Sequence, residues 1–293
     1  MLPRPDNRPP RPVVELPAEP VTVTTADGVP LRGLCAGGPA THTFVIGHGM
    51  SHSTAEPSTR AVIGWFARHG TVLALDFRGH GASGGLSSVG GDEVLDIDAA
   101  VGLARSMAMA PVTTVGFSMG GTVVLRQAAL GGNRPDVVIA VSSPSRWFLR
   151  ESVPMRRVHW MVEHPLGPWV GRRAGIRVGP AWDEVPPTPL ETISRITQPL
   201  LLVQGTADRY FSAAQAIDLQ RASLGHAELW LEPGHGPRGI RHVGGVDRPD
   251  GPLGNRAPDG AAAWRYRRVR SPPPTRADPA DNAAAFDRRL PPR

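Results

Sequence analysis

Short apolar runs alternate with longer amphipathic segments through most of the chain. Within the longer segments, apolar residues recur at helical spacing. Strands that helices cover on both faces are apolar throughout, so this alternation predicts a parallel sheet between two helical layers, an α/β fold. The runs are THTFVIG (41–47), TVLALD (71–76), VTTVGF (112–117), DVVIAVS (136–142), PLLLVQG (199–205) and AELWLEPG (227–234).

The residues before the first run predict a hairpin. VTVTT and PLRGLC are separated by ADGV, whose Asp27-Gly28 pair favours a tight turn between antiparallel strands. Residues 1–20 instead contain seven prolines and no apolar periodicity. They predict a disordered leader, and we place the start of the folded domain at Val21.

The alternation is interrupted between Pro144 and Thr197. A connection of about fifty residues is unusually long between two strands and predicts a lid, residues 144–197. Its aromatic and methionine side chains suit the wall of an apolar substrate pocket, where we expect Trp147 and Trp160. The alternative is that these side chains only attach the insertion to the domain.

The excess positive charge lies at the end of the chain. All 32 basic residues are arginine, and residues 236–293 hold 12 of them against 6 aspartates, which accounts for the whole net charge of +6. This segment is rich in proline and glycine and predicts a disordered low-complexity tail after a domain spanning 21–235. Because the arginines follow no helical stripe, we predict no nucleic-acid partner.

Cysteine usage and hydropathy bear on the compartment. Cys35 is the only cysteine, so no intrachain disulfide can form. The segment MLPRPDNRPPRP has no apolar signal region, and no apolar run is long enough to span a bilayer. We therefore expect a cytoplasmic protein without membrane insertion, and the sequence does not indicate its oligomeric state.

Two serines match the pattern GxSxG, Ser118 in GFSMG and Ser83 in GASGG. A nucleophile turn requires a strand directly before the serine, a helix directly after it and small residues around it. Ser118 follows VTTVGF and opens TVVLRQAAL, whereas Ser83 is followed by more loop. The context predicts Ser118 as the nucleophile.

A serine hydroxyl reacts only when a base removes its proton, and a third group must orient that base. Asp208 follows PLLLVQG, and His235 follows AELWL. Considered alone, Asp208 is better explained as an aspartate that caps the following helix, and His235 is one of ten histidines in the chain. Together with Ser118 they stand in the order of a Ser-Asp-His triad, at the carboxyl ends of predicted strands.

Two backbone N–H groups are needed to bind the oxyanion of the tetrahedral intermediate. Met119 is positioned to supply one at the start of the helix after Ser118. Met50, in the glycine-containing loop GHGMSHS, is our candidate for the other, and we expect His48 beside it to line the substrate pocket.

Two other motifs suggest bound groups. His48 and His52 have the spacing of a metal-ligand pair, but no third ligand accompanies them. GHGASG (79–84) matches the dinucleotide pattern GxGxxG without its βαβ context. We therefore expect neither metal nor cofactor.

The motifs HGM, LDFRGHGASGG, GFSMGG, GTAD and PGHG, in this order, resemble those of the α/β-hydrolase superfamily over residues 21–235. The chain looks most like the monoacylglycerol lipase-like and serine-aminopeptidase-like branch. The resemblance implies an eight-stranded, mostly parallel sheet with an antiparallel strand near its start and a lid after the sixth strand. It also implies that Ser118 forms an acyl-enzyme, with His235 as base and Asp208 as its orienter.

The reaction implied is hydrolysis of a small, apolar carboxylic ester. Amide or peptide cleavage and cofactor-free haloperoxidase chemistry use the same triad, and a non-catalytic remnant of a hydrolase is a further alternative.

The chain departs from the family after His235. Members usually continue into an amphipathic helix, whereas here the Pro/Arg/Gly tail begins at Gly236. We interpret this change as a reading-frame change in the gene or its model, with a natural disordered extension as the alternative. Translating the encoding DNA in the other two frames distinguishes them.

Overall fold

The computed structural model describes residues 17–37, 42–109 and 111–234. The predicted tail, His235 and the leader through residue 16 lie outside these ranges. The first strand begins at Ala18, so the last residues of the predicted leader belong to the sheet. Pro20 is compatible with this strand because the strand lies at the sheet edge, where a missing N–H is tolerated.

The described residues form eight strands and seven helices, with a 3₁₀ turn at Ile193–Arg195. The strands are β1 (Ala18–Thr24), β2 (Pro30–Ala36), β3 (Thr43–Gly47), β4 (Thr71–Leu75), β5 (Val112–Phe117), β6 (Val137–Val141), β7 (Leu200–Gly205) and β8 (Glu228–Glu232). The helices are α1 (Pro57–Phe66), α2 (Glu93–Ser106), α3 (Met119–Leu130), α4 (Val153–Glu163), α5 (Gly167–Arg173), α6 (Pro189–Thr192) and α7 (Ala213–Ala222).

All eight strands form one sheet in the order β1-β2-β4-β3-β5-β6-β7-β8. β1 and β2 form the predicted antiparallel hairpin, with Gly28 at φ +84° in its turn. β2 is antiparallel to β4, and the pairs from β4 through β8 are parallel. The mostly parallel eight-stranded sheet is thus confirmed.

A hydrophobic core lies on each face of the sheet. Leu73 and Val45 belong to the core beneath α2, α3 and α7. Val72 and Ile46 belong to the core beneath α1. Consecutive strand residues are therefore buried on opposite faces, which explains why the strands read as continuous apolar runs.

The parallel strands bring several loops to one edge of the sheet. β3, β5, β6 and β7 are neighbours in the sheet and point the same way, so the loops after them meet at their carboxyl ends. Ser118 directly follows β5, between β3 and β6. In open α/β sheets this edge is where ligands bind.

The long insertion lies between β6 and β7 and carries α4, α5 and α6. Bridges from Ile176 to His80 and from Val178 to Ser87 attach it to the loop after β4. α6 begins with a capping box formed by Thr188 and Glu191. α4, by contrast, has no buried residue. No described helix is both long and apolar enough to cross a bilayer.

Candidate active site

Ser118 occupies a sharp turn between β5 and α3. Its backbone has φ 54° and ψ −118°, a conformation that is costly for a residue with a side chain. The Ser118 N–H donates to the Val141 carbonyl at 2.9 Å, at the end of β6. The neighbouring strand therefore fixes the turn that presents the Ser118 side chain.

Glycines surround this turn because backbone segments meet there without room for side chains. A Cβ on Gly116 would lie 2.7 Å from the Gly121 Cα, and one on Gly120 would lie 2.6 Å from the His48 carbonyl oxygen. Both distances are well inside van der Waals contact. The first turn of α3 thus packs directly on β5 and on the end of β3.

The loop after β3, here called the oxyanion loop (48–52), passes beside Ser118. A Cβ on Gly49 would lie 3.6 Å from the Ser118 Cβ, so the two backbones are in close proximity. Met119 is the first residue of α3, and its N–H therefore has no acceptor within the helix. The Met50 carbonyl lies 2.5 Å from Nε2 of the buried His80 ring, which fixes this part of the loop.

His48 is buried behind the oxyanion loop rather than on the wall of a substrate pocket, where we expected it. Its Nε2 accepts a hydrogen bond from the Phe77 N–H at 3.0 Å, so Nδ1 carries the proton and donates to the Gly49 carbonyl at 2.8 Å. Burial, and then the neighbouring His80, lower the pKa of His48 to about 3. The ring is neutral and both nitrogens are occupied, so it orients the loop and cannot pair with His52 around a metal.

Ser83, the competing serine, is buried and bound to the backbone. Its Oγ donates to the Asp76 carbonyl at 2.6 Å and accepts from the Arg32 N–H at 2.9 Å. The Asp76 carboxylate in turn accepts from the N–H groups of Thr54 and Ala82. Ser83 and Asp76 therefore connect the loop after β4 to β2 and to the loop after β3. Nothing in the sequence indicated these contacts of Asp76.

Asp208 lies in the loop after β7. One of its carboxylate oxygens accepts hydrogen bonds from the backbone, and the other accepts none from the described residues. Oδ1 accepts from the Tyr210 N–H at 2.7 Å and from the Phe211 N–H at 3.2 Å. Oδ2 is buried and has no hydrogen-bond partner among the described residues. An orphaned buried carboxylate oxygen is costly, and a ring N–H is a suitable donor to it.

His235 lies outside the described residues, but the residue before it has a defined contact. The Gly234 N–H donates to Oγ1 of Thr206 at 3.1 Å, two residues before Asp208. β8 also pairs with β7 up to its last residue, Glu232 beside Gly205. The last described residue, Gly234, therefore lies beside the Asp208 loop.

The two predicted pocket tryptophans occupy different environments. Trp147 is half-buried and donates from Nε1 to the Pro186 carbonyl at 2.5 Å. A Cβ on Gly90 would touch both Trp147 and Met119, at 3.3 and 3.8 Å, so Trp147 approaches the start of α3. Trp160 is 48% exposed on α4 and stacks on His164 at 4.6 Å between ring centroids.

Arg126 joins the insertion to the loop after β4, a role the sequence analysis missed. Its buried guanidinium donates to the carbonyls of Gly90 and Gly91 at 2.5 and 2.8 Å, and to that of Pro187 at 2.8 Å. It also lies 5.5 Å from the ring centroid of Trp147. An arginine within the apolar run TVVLRQAAL was the available signal.

We compared this chain with known proteins. The features at issue are the serine turn after β5, the glycine-containing loop after β3 beside it and the order of the strands in the sheet. A model of the alpha/beta hydrolase family matches residues 44–251. The chain belongs to the alpha/beta hydrolase family. A comparison with curated proteins finds no significant match.

Solved structures share the fold of this alpha/beta hydrolase. The Pyrococcus furiosus esterase Pf2001 is 25% identical, with a TM-score of 0.61 over 80% of this chain and 90% of that one. XC6422 from Xanthomonas campestris, described as a serine hydrolase without a lid, is 20% identical, with a TM-score of 0.51 over 78% and 93%. The family match does not separate the monoacylglycerol lipase-like branch from others, and that assignment stays a prediction.

Proposed function

We propose that the protein is a serine hydrolase that cleaves carboxylic esters, with Ser118 as nucleophile. The observation that carries this proposal is the position of Ser118 in a strained turn, with the oxyanion loop against it. A strained serine between strand and helix exposes its Oγ to a substrate carbonyl. The esterase Pf2001, at 25% identity, supports an ester as substrate.

The proposed reaction has two halves. Ser118 Oγ attacks the ester carbonyl while His235 takes the hydroxyl proton, and the N–H groups of Met50 and Met119 stabilise the oxyanion. His235 then gives the proton to the leaving alcohol, which departs and leaves an acyl group on Ser118. A water molecule, deprotonated by His235, attacks the acyl-enzyme and releases the acid.

Asp208 is the orienting group in this proposal. Its Oδ1 is held by two backbone N–H groups, so the carboxylate has a fixed position. Its Oδ2 is available to accept from the imidazole of His235. An ionised acceptor there would keep the imidazole in the required tautomer and stabilise the imidazolium that forms during the reaction.

The insertion is proposed to act as a lid over this site. Trp147 approaches Met119 and would supply apolar wall to a small, apolar substrate on that side of Ser118. No nucleic acid, membrane insertion, metal or cofactor has a part in the proposed reaction, and a cytoplasmic location remains part of the proposal.

Labelling with a fluorophosphonate probe tests the nucleophile. We expect one modified serine, mapped by mass spectrometry to Ser118, and hydrolysis of short-chain 4-nitrophenyl esters that Ser118→Ala abolishes. Ser83→Ala is the matched control and should still be labelled. Unchanged turnover in Ser118→Ala would refute the mechanism, and folded wild-type protein that is neither labelled nor active would indicate a non-catalytic remnant.

A further inference from the structure

A cavity of about 260 Å³ lies between the oxyanion loop and the insertion. One wall comes from the serine and histidine side chains that follow Met50, and the opposite wall comes from the end of α5 and the strand-like segment after it. The lining residues are Ser51, His52, Ser53, Glu56, Gly81 and residues 172 and 174–177.

The cavity borders the proposed reaction centre. Nδ1 of His52, which lines it, lies 3.4 Å from the position of a Cβ on Gly49. The same position is 3.6 Å from the Ser118 Cβ. A substrate whose carbonyl lies at Ser118 can therefore extend past His52 into the cavity.

The lining carries an excess of positive charge. Arg172 and Arg177 both contribute, and neither forms an ion pair with a carboxylate of the described residues. The guanidinium of Arg177 donates to the backbone carbonyl of Ser83, which leaves its charge uncompensated. Glu56 is the one acidic residue among those that line the cavity.

The backbone that carries these arginines is fixed. The Arg177 N–H donates to the Gly79 carbonyl at 2.8 Å, and the Ile176 N–H donates to that of Gly171 at 2.8 Å. The bridge from Ile176 to His80 holds the same segment on the loop after β4. The charges are thus presented to the cavity from a preorganised wall, which lowers the cost of ordering on binding.

We propose that this cavity binds a negatively charged group, a carboxylate or phosphate, that the ester substrate carries away from its reacting carbonyl. Guanidinium groups recognise such oxyanions through paired, charge-assisted hydrogen bonds, and the hydroxyls of Ser51 and Ser53 can donate further ones. This inference rests on the proposed esterase function and adds a charged specificity site to it.

Matched ester pairs test the proposal from both ends of the ester bond. Mono-4-nitrophenyl succinate and 4-nitrophenyl butyrate differ by a carboxylate in the acyl group. Acetoxybenzoate and acetoxybenzamide differ by a carboxylate in the alcohol group. We expect kcat/KM to favour the anionic member in one pair, mainly through KM, and to lose that preference at high salt. Equal or lower values for the anionic member in both pairs would overturn the proposal.

Variants locate the preference in the cavity. Arg172→Gln should lower the anionic-to-neutral ratio of kcat/KM about tenfold, as for loss of one charged hydrogen bond. Arg173→Gln is the matched control, since its guanidinium lies over the Trp169 ring, 4.0 Å from the centroid, and does not line the cavity. Glu56→Gln should raise the ratio, and its side chain caps no backbone N–H of α1. A ratio that Arg172→Gln and Glu56→Gln both leave unchanged, or that Arg173→Gln changes as much as Arg172→Gln does, would refute the site.

Binding separates this inference from the proposed function. Calorimetric titration of Ser118→Ala protein with both ester pairs measures the preference for the anion without turnover. Tighter binding of the anionic member, weakened by Arg172→Gln in the same background, supports the cavity even if the wild-type protein hydrolyses neither ester. Equal affinities for both members would overturn the cavity and leave the proposed function intact.

Discussion

Replacing Gly120 with alanine would force the first turn of α3 away from the oxyanion loop. The added Cβ would lie 2.5 Å from the carbonyl carbon of Gly47 and 2.6 Å from the carbonyl oxygen of His48. Both are backbone atoms, so no side-chain rotation relieves the overlap. The two segments have to separate by roughly 1 Å, and a misplacement of that size costs about 10²-fold in rate when it displaces a catalytic group.

The same overlap predicts a loss of stability. Overpacking a tightly packed interior costs about 1–3 kcal/mol of unfolding free energy. Gly132→Ala is the matched control, because a Cβ there meets only Oδ2 of Asp98, at 3.8 Å. We expect Gly132→Ala to stay within about 0.5 kcal/mol of wild type.

Urea unfolding and turnover of a short-chain aryl ester measure the two effects separately. Gly120→Ala should lower the unfolding midpoint and, at temperatures where it remains folded, lower kcat and the rate of fluorophosphonate labelling. If it matches Gly132→Ala in both stability and rate, α3 and the oxyanion loop are not packed as described. If stability falls and kcat does not, the oxyanion role of Met50 is refuted while the packing stands.

Three further measurements test contacts around the site. The pKa of buried His48 is about 3 against the ordinary 6.5, so as the pH falls the unfolded chain binds a proton before the folded protein does. When the pH is lowered from 7 to 5, the unfolding free energy of the wild-type protein should therefore fall by about 2 kcal/mol more than that of His48→Gln. Equal decreases for the two proteins in urea titrations would contradict a neutral His48 ring. Ser83→Ala should lower the unfolding free energy by about 1–3 kcal/mol while Ser118 is still labelled, whereas loss of labelling would give Ser83 a part in the reaction. Arg126→Gln should speed thermolysin cleavage within 144–197, and an unchanged cleavage rate would show that its hydrogen bonds do not retain the insertion.

Much of the fold could be predicted because its determinants are local in the sequence. Strands β3 to β5 are short and largely buried on both faces, and β6 and β7 are buried on one face and partly buried on the other, so each appears as an apolar run bounded by turn residues. The turn at Ser118 could likewise be predicted from the sequence, because it requires a strand, small residues and a helix in direct succession. The start of β1 at Ala18 could not be predicted, because pairing with β2 outweighs the low strand propensity of Pro20.

Contacts between distant segments could not be predicted from local pattern. Whether His48 faces the substrate or the protein interior depends on the position of Phe77, which follows a neighbouring strand in the sheet. The partners of Arg126 depend on how the insertion docks. The cavity beside His52 forms only because residues 172–177 lie against the oxyanion loop, some 120 positions earlier in the chain.

Only two members of the proposed triad, Ser118 and Asp208, lie among the described residues. Ser118 and Asp208 follow β5 and β7, two parallel strands separated by β6, so both lie at the carboxyl edge of the sheet, where the strand pattern predicted them. His235 stays a prediction, supported by the hydrogen bond between Gly234 and Thr206. The frame-change interpretation of the tail likewise stays a prediction, and it concerns residues outside the described part of the chain.

The hydrogen bonds of Arg126 distinguish two parts of the insertion, the segment near Pro187 and the helix α4. The part near Pro187 shares a guanidinium with the loop after β4, so those two segments move together or not at all. α4 has no buried residue and is the part of the insertion with the least packing to lose. If the insertion acts as the proposed lid, we expect α4 to move while the segment near Pro187 stays in place, so a crosslink that fixes α4 should slow substrate association and leave the chemistry at Ser118 intact.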